Sequence, residues 1–184
     1  KRAGVLAVQF TGGGEPTVHK DHESIFSRAL ETGLKASLVS NGLQWSVALR
    51  SDILPRFSWV RVSVDAGSPV TYSTIRRTSI DNFDKVLAHI ADLAGYIKTQ
   101  GTDCNLGVGY VVTPDNYREV IEGVKVASET GARYIRLSAM FNPDGEVPYN
   151  DIYESIKADI REARMRYESR TFSVIDLFGE RVQD

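Results

Sequence analysis

Three consecutive glycines, Gly12, Gly13 and Gly14, run into Glu15 and Pro16 at the end of an apolar segment, "VLAVQFTGGGEP". One glycine serves a turn; three in a row cost backbone entropy and point to main chain that a ligand must approach closely. Pro16 restricts the backbone of Glu15 and so fixes its carboxylate toward the same edge. The stretch is not a phosphate loop, because no Lys-Ser/Thr follows the glycines and GxGxxG spacing is absent. His19 and His22 come next and, with Glu15, have the residue types of a metal site. The plainer reading, a solvated helix start, is preferred for them. Arg61, Asp65 and Arg136 are charged residues inside apolar stretches. The two arginines read either as ligands for an anion or as one half of an interior ion pair with an acid such as Asp65. Arg76 and Arg77 are placed on a solvated helix face, with a phosphate contact as the alternative, and His89 is expected to be partly exposed. The lone Cys104 cannot form an internal disulfide and reads as a small core residue at a strand start.

These residues must be positioned by five strand-like segments, each ending in polar or glycine-rich residues: "VLAVQFTGGG", "LKASLVSNG", "WVRVSVDAG", "CNLGVGYVVTP" and "RYIRLSAMF". Helical patterns lie between them. One stripe carries Phe83, Val86, Leu87, Ile90, Leu93, Ala94 and Ile97, a second Tyr117, Val120, Ile121, Val124 and Ala127, and a third Ile152, Tyr153, Ile156 and Ile160. Helices are expected to stop at Gly33, Gly101 and Gly131, where a left-handed residue is needed. "FSVIDLF" offers a sixth strand, and "KADIREARMRYESR" alternates charge as an exposed helix surface does. Alternating strands and helices imply parallel strands joined by crossover helices, with the motif-bearing strand ends gathered on one edge. That edge is where α/β folds place their sites.

Side chains alternate sides along a strand, so the faces discriminate between architectures. Val60, Val62 and Val64 oppose Arg61, Ser63 and Asp65. Ile135, Leu137, Ala139 and Phe141 oppose Tyr134, Arg136 and Ser138, while Leu106, Val108, Tyr110 and Val112 oppose Asn105, Gly107, Gly109, Val111 and Thr113. In the first segment Leu6, Val8 and Phe10 share the apolar face. A sheet covered by helices on both faces reads as near-continuous apolar runs, and a closed eight-stranded barrel is filled with bulky branched side chains. Neither fits. The expected fold is α/β, a partial (β/α) barrel of about five to six parallel strands with outer helices and a wet, polar concave face. A flat sheet with one face in bulk solvent is the alternative.

With 184 residues and a net charge of −2 the chain is one domain with a sizeable core, and its scattered charges give no field for nucleic acid or anionic lipid. Small-molecule partners are expected. No run reaches the roughly 20 apolar residues of a membrane span, and the cytoplasm is the default location. The sequence opens without a methionine and enters a strand almost at once, as if cut from a longer polypeptide.

"FTGGGEPT" at the end of a strand resembles the GGEP motif of the radical S-adenosylmethionine (radical SAM) superfamily. "LVSNG", "VRVSVDAGSPVTYSTIRR", "LGVGYVVTPDN" and "YIRLSAMF" are similar, in order, to that superfamily's following strands, so the resemblance spans about residues 5–141. It implies that the backbone of Gly12, Gly13, Gly14 and Glu15 receives the SAM ammonium group, for which carbonyl oxygens and a carboxylate are suited. It further implies that Ser63 and Asp65 face the ribose hydroxyls and methionyl carboxylate, with Asn41 at the next mouth position. Gly107 and Gly109 would admit the adenine, Ser138 to Met140 would edge its pocket, and Arg136 would bind the SAM carboxylate or an anionic substrate. The cofactors implied are SAM and a [4Fe–4S] cluster, yielding a 5′-deoxyadenosyl radical that abstracts hydrogen from an unknown substrate, a peptide or protein among the candidates.

One departure is large: the superfamily's CxxxCxxC, whose thiolates hold the cluster, is absent. Truncation before Lys1 would remove both that motif and the first strand, and is the expectation; a natural cluster-less relative is the alternative. Two other readings remain: a lyase or isomerase using Glu15, Asp65 and Arg136 on a small anionic substrate, and a non-catalytic scaffold. An unpaired barrel edge is expected to make the chain marginally stable or to pair it with another copy.

Overall fold

Six strands form one parallel sheet in sequence order in the computed structural model, which describes residues 4–141 and 149–179. They are β1 (Ala7–Phe10), β2 (Lys35–Ser40), β3 (Trp59–Ser63), β4 (Asn105–Val112), β5 (Tyr134–Ala139) and β6 (Ser173–Leu177). The connecting helices are α1 (His22–Glu31), α2 (Pro69–Arg76), α3 (Asn82–Gln100), α4 (Val120–Glu129) and α5 (Tyr153–Tyr167). Among the described residues the sheet does not close, since β1 and β6 pair only with β2 and β5 respectively. This is the expected partial barrel, including its sixth strand.

The expected faces are observed except at Leu6 and at Phe141, which lies beyond the end of β5 and is 75% exposed. Val60, Val62, Val64, Leu106, Val108, Tyr110, Val112, Ile135, Leu137 and Ala139 are all buried, and Val86, Ile90, Leu93, Val120, Val124, Ala127, Ile156 and Ile160 pack in the same core. Register sets the polar rows of the other face. Val39, Arg61, Gly107 and Tyr134 lie side by side, then Ser63, Gly109 and Arg136, then Val111 and Ser138. Gly33, Gly101 and Gly131 all take positive φ at the helix ends, as expected. Cys104 is buried one residue before β4.

Two local expectations are corrected. Leu6 falls just outside the short edge strand β1 and is 78% exposed. Between β2 and β3, where no helical stripe is legible, a π-helical turn (Leu49–Ile53) runs into a 3-10 turn (Leu54–Arg56) and buries Leu49 and Leu54 completely. Pro55 prevents a regular helix there, so the apolar residues show no sustained helical period. Residues 142–148, which follow β5, lie outside the described part of the chain.

Candidate functional site

The mouth of the partial barrel is the edge formed by the C-terminal ends of the strands. Beyond β1 the glycine segment is fastened there by Glu15. Its Oε1 accepts hydrogen bonds from the Thr17 amide (3.0 Å), the Thr17 hydroxyl (2.7 Å) and the Ser40 hydroxyl (2.8 Å), and its Oε2 from the Asn41 amide (2.6 Å). Ser40 Oγ in turn accepts from the Gly42 amide and the Trp45 indole. The carboxylate thus reaches the mouth as expected, and there it locks the loop after β1 to the end of β2. Such an engaged carboxylate does not favour general acid–base work.

The glycines themselves differ. Gly12 has φ +154°, a conformation L side chains rarely adopt, whereas a methyl group added to Gly13 or Gly14 would meet nothing within 4 Å. Nothing in the described chain requires glycine at those two positions.

A cavity of about 270 Å³ opens in front of this segment, lined by Gly12, Gly14, Glu15, Asn41, Ser63 and Arg76 among others. A second, of about 190 Å³, adjoins it through Val39 and Ser63 and is lined by Arg61, Asp65, Gly109, Arg136 and Ser138. Each is below the roughly 300–1,000 Å³ of a typical small-molecule site; together they reach that range.

Asp65, on the lining of the second cavity, has a left-handed backbone (φ 59°) and 8% exposure. Its Oδ1 accepts from the Val111 amide at 2.7 Å, and its Oδ2 is 2.6 Å from the Arg76 guanidinium. Burial raises the Asp65 pKa, with Arg76 and the Val111 amide opposing. The ion pair considered between Asp65 and Arg61 or Arg136 is therefore corrected: the partner is Arg76. Arg76 is also not on a solvated face, since the last turn of α2 brings it over the mouth. Arg77 ends that helix in a left-handed conformation.

Gly107 is corrected as well. A methyl group there would lie 2.1–2.4 Å from the Tyr134 ring, so the space assigned to adenine is filled from β5. Gly109 remains open, its nearest neighbour being the Arg61 side chain at 3.5 Å. Ser138 enters the second cavity, whereas Met140 lines neither, its side chain 39% exposed beyond β5. The Met140 amide donates to the Tyr149 hydroxyl, which donates to the Val112 carbonyl. Asn41 lines the first cavity while its Oδ1 accepts from the Leu43 amide.

Two supporting residues escaped the sequence reading. The buried Asn116 side chain donates to the carbonyls of Asp65 and Val111 and accepts from the Thr113 amide, fixing the ends of β3 and β4 together. Glu119 accepts from the Gly67 amide and from the Ser68 and Thr71 hydroxyls, which holds the start of α2. The helix start itself was signalled by Ser68-Pro69, a capping residue before proline; its distant acceptor was not. His19 and His22 sit at the start of α1, with the Asp21 amide donating to His19 Nδ1 and the His22 ring edge-on to Phe26. Among the described residues no three His, Cys, Asp or Glu side chains are grouped to hold a metal ion. His89 is half-buried, its Nδ1 2.7 Å from the Gly42 carbonyl, and burial lowers its pKa. No described helix is long and apolar enough to cross a membrane.

No protein-family profile matches the chain. Over 104 residues it is 31% identical to an S-adenosylmethionine-dependent nucleotide dehydratase of Selenomonas ruminantium, covering 51% of this chain and 36% of that protein. Two solved structures share the architecture. SuiB of Streptococcus suis superposes with a TM-score of 0.62 at 16% identity, over 89% of this chain and 37% of SuiB. A domain of a pyruvate-formate lyase-activating enzyme from Bacteroides vulgatus gives 0.62 at 11% identity, over 92% of this chain and 98% of that domain. The chain has the fold of the radical SAM superfamily. SuiB has also been solved bound to S-adenosylmethionine and bound to the precursor peptide SuiA. The chain spans little more than a third of the dehydratase and of SuiB. Within the radical SAM fold, the glycine segment and both cavities lie at the C-terminal edge of the sheet.

Proposed function

We propose that this chain is the SAM-binding core of a radical SAM enzyme. The observation that carries the reading is Gly13 and Gly14, two glycines that no packing or backbone requirement within the described chain explains, the second of them lining an open cavity. The likeness to a SAM-dependent dehydratase supports it.

In this reading the SAM ammonium group meets the carbonyls of Gly12 to Glu15, and Arg76, at the same mouth, faces the methionyl carboxylate. Asn41, Ser63 and Asp65 line the path to the ribose, while Gly109 and Ser138, with Met140 beyond them, border the adenine. Gly107 takes no part, being covered by Tyr134. Arg136 is reserved for the substrate side. In an enzyme whose other residues hold a cluster to donate one electron, a SAM bound here would supply the 5′-deoxyadenosyl radical that abstracts hydrogen from a substrate. The chain's own residues bind and orient the cofactor and shield it from water.

An iron–sulfur cluster does not fit the described residues. Thiolates hold such clusters, and Cys104, the lone cysteine, is buried at the opposite strand edge with its thiol pushed up to about 12 by burial. The cluster of the parent enzyme is therefore assigned to residues outside this chain, which we read as a single partial-barrel domain of a cytoplasmic protein. A nucleotide and a peptide are both candidate substrates, from the names of the dehydratase and of the SuiB complex. The edge of β1, unpaired among the described residues, is a surface on which a second copy could add. No observation favours the lyase reading, since the Glu15 and Asp65 carboxylates are both engaged.

Calorimetric titration with SAM tests the proposal. One saturable site with sub-millimolar affinity is expected; absence of saturable heat up to several millimolar would overturn it.

A further inference from the structure

Near the Asp65–Arg76 pair lies a buried hydroxyl with nothing to bond. Tyr72 and Arg76 stand four residues apart in α2 and so share one face of it. Tyr72 is 0% exposed, its ring packed 5.5 Å from that of Phe83 in the first turn of α3. Among the described residues its hydroxyl has no hydrogen-bond partner. A hydroxyl buried in this way bears the whole cost of its lost water contacts. Phenylalanine would fill the same space without that cost, so the hydroxyl points to a partner that it meets in another state of the site.

The surrounding charges identify that partner. Burial raises the Tyr72 pKa, the Arg76 guanidinium opposes the rise and the Asp65 carboxylate adds to it, so the hydroxyl lies in the field of both and keeps its proton. A protonated phenol near a carboxylate is a donor facing an acceptor. Asp65 has acceptor sites to spare: Oδ1 takes the Val111 amide and Oδ2 the Arg76 guanidinium, against the roughly four lone-pair sites of an ionised carboxylate. Arg76 is held by charge more than by hydrogen bonding. Its Nη2 stands 2.6 Å from Asp65 Oδ2, yet neither Nη2 nor Nε completes a hydrogen bond. The same guanidinium lines the 270 Å³ cavity, where the Glu15 carboxylate is already taken by Thr17, Ser40 and Asn41. An anionic group entering that cavity offers Arg76 a bidentate partner. The cost then falls on Asp65, because a buried carboxylate that loses its cation is strongly destabilised.

We infer that Tyr72 is the reserve partner of Asp65: when an anionic group of the ligand draws the Arg76 guanidinium to itself, the Tyr72 hydroxyl donates to Asp65 Oδ2 and keeps that carboxylate ionised and in place at the mouth. Tyr72 is thus a positioning residue, acting through Asp65 and never on the ligand itself. A neutral hydroxyl replaces only part of what the guanidinium supplies, so the exchange lasts only while the ligand holds Arg76. The identity of the anionic group as the methionyl carboxylate rests on the SAM reading above. The exchange of partners at Asp65 does not depend on it.

A double-mutant cycle on the ligand-free chain tests the exchange, with Arg76→Met standing for the guanidinium drawn away. Tyr72→Phe alone should leave the melting temperature unchanged or raise it by up to about 4 °C. In the Arg76→Met background the same change should lower it by about 3 °C, because there the hydroxyl is engaged. Calorimetric titration with SAM adds the bound state: Tyr72→Phe should weaken binding about five-fold in a chain at least as stable as the parent, a combination that a merely structural tyrosine would not give. If Arg76→Met does not fold, Arg76→Gln takes its place in the cycle, and Tyr72→Phe alone still exposes the inference to refutation. Three results would overturn it: a melting temperature lowered by Tyr72→Phe with Arg76 present, equal effects of Tyr72→Phe in the two backgrounds, or the SAM affinity of a binding parent unchanged in Tyr72→Phe. A parent that binds no SAM while the cycle shows the expected coupling would sink the SAM reading and leave the exchange at Asp65 standing.

Discussion

Two groups of glycines teach different things about the same sheet. Gly107 and Gly123 lie under aromatic rings, and a methyl group at either would come within 2.1–2.4 Å of Tyr134 or Tyr110. A methyl group on Gly67 would come within 2.8 Å of the Gly123 backbone nitrogen in α4. A methyl group on Gly13 or Gly14, at the mouth, would meet nothing within 4 Å. The first group is required by the chain's own packing. The second is required by nothing the described chain contains, and so points to something that arrives from outside. In sequence both groups look alike, and the family resemblance that gives Gly107 to the adenine does not separate a glycine required by packing from one left open for a ligand.

The comparison can be broken first at its packed end. Gly123→Val and Gly107→Val should each destabilise the fold by about 3 kcal/mol, at the upper end of overpacking costs, seen as a fall in the urea midpoint. An unchanged midpoint in both would remove the distinction. Arg76→Met should cost about as much, because it leaves the Asp65 carboxylate buried without its cation. The sign with pH follows from the direction of the shift. Asp65 already has a raised pKa in the folded state, and losing Arg76 raises it further. The native state then binds the proton more tightly than the unfolded one, so the variant should be most stable at low pH. Its stability should decline as pH rises from the unfolded value near 3.8 through the folded one. A deficit that is flat between pH 4 and 8 would contradict this.

A smaller effect sharpens the contrast at α2. Burial acts to raise the Glu119 pKa, but hydrogen bonds from Thr71, Ser68 and Gly67 outweigh it and leave the pKa lowered. The stability Glu119 contributes is therefore present above about 4.5 and lost as pH falls through the lower folded value. Glu119→Gln should melt lower than the parent chain at pH 7, by an amount equivalent to about 1 kcal/mol, and the gap should narrow toward pH 3. A gap independent of pH would rule out the carboxylate's charge as the cause.

The architecture was largely legible because alternation is a local signal. Val60, Val62 and Val64 against Arg61, Ser63 and Asp65 were enough to place helices on one side and a polar hollow on the other. The site was legible only as a set of strand ends. Which residues of that set touch each other depends on crossovers and register. Arg76 reaches Asp65 because α2 follows β3 after a short turn, and Glu119 reaches Ser68 from 51 residues away. Neither contact leaves a periodic trace. The turns of Leu49–Arg56 were hidden for a similar reason, since a proline divides their apolar residues.

The decisive measurement pairs Gly14→Val with Gly123→Val and reads both SAM affinity by calorimetry and the urea midpoint. Gly14→Val should keep the parent midpoint within about 0.5 kcal/mol, as an exposed substitution without packing partners does, and lose SAM affinity by about ten-fold or more. Gly123→Val should lose stability and, where still folded, keep its SAM affinity. A Gly14→Val chain that binds SAM as the parent does would contradict the claim that the bare backbone is there for the cofactor.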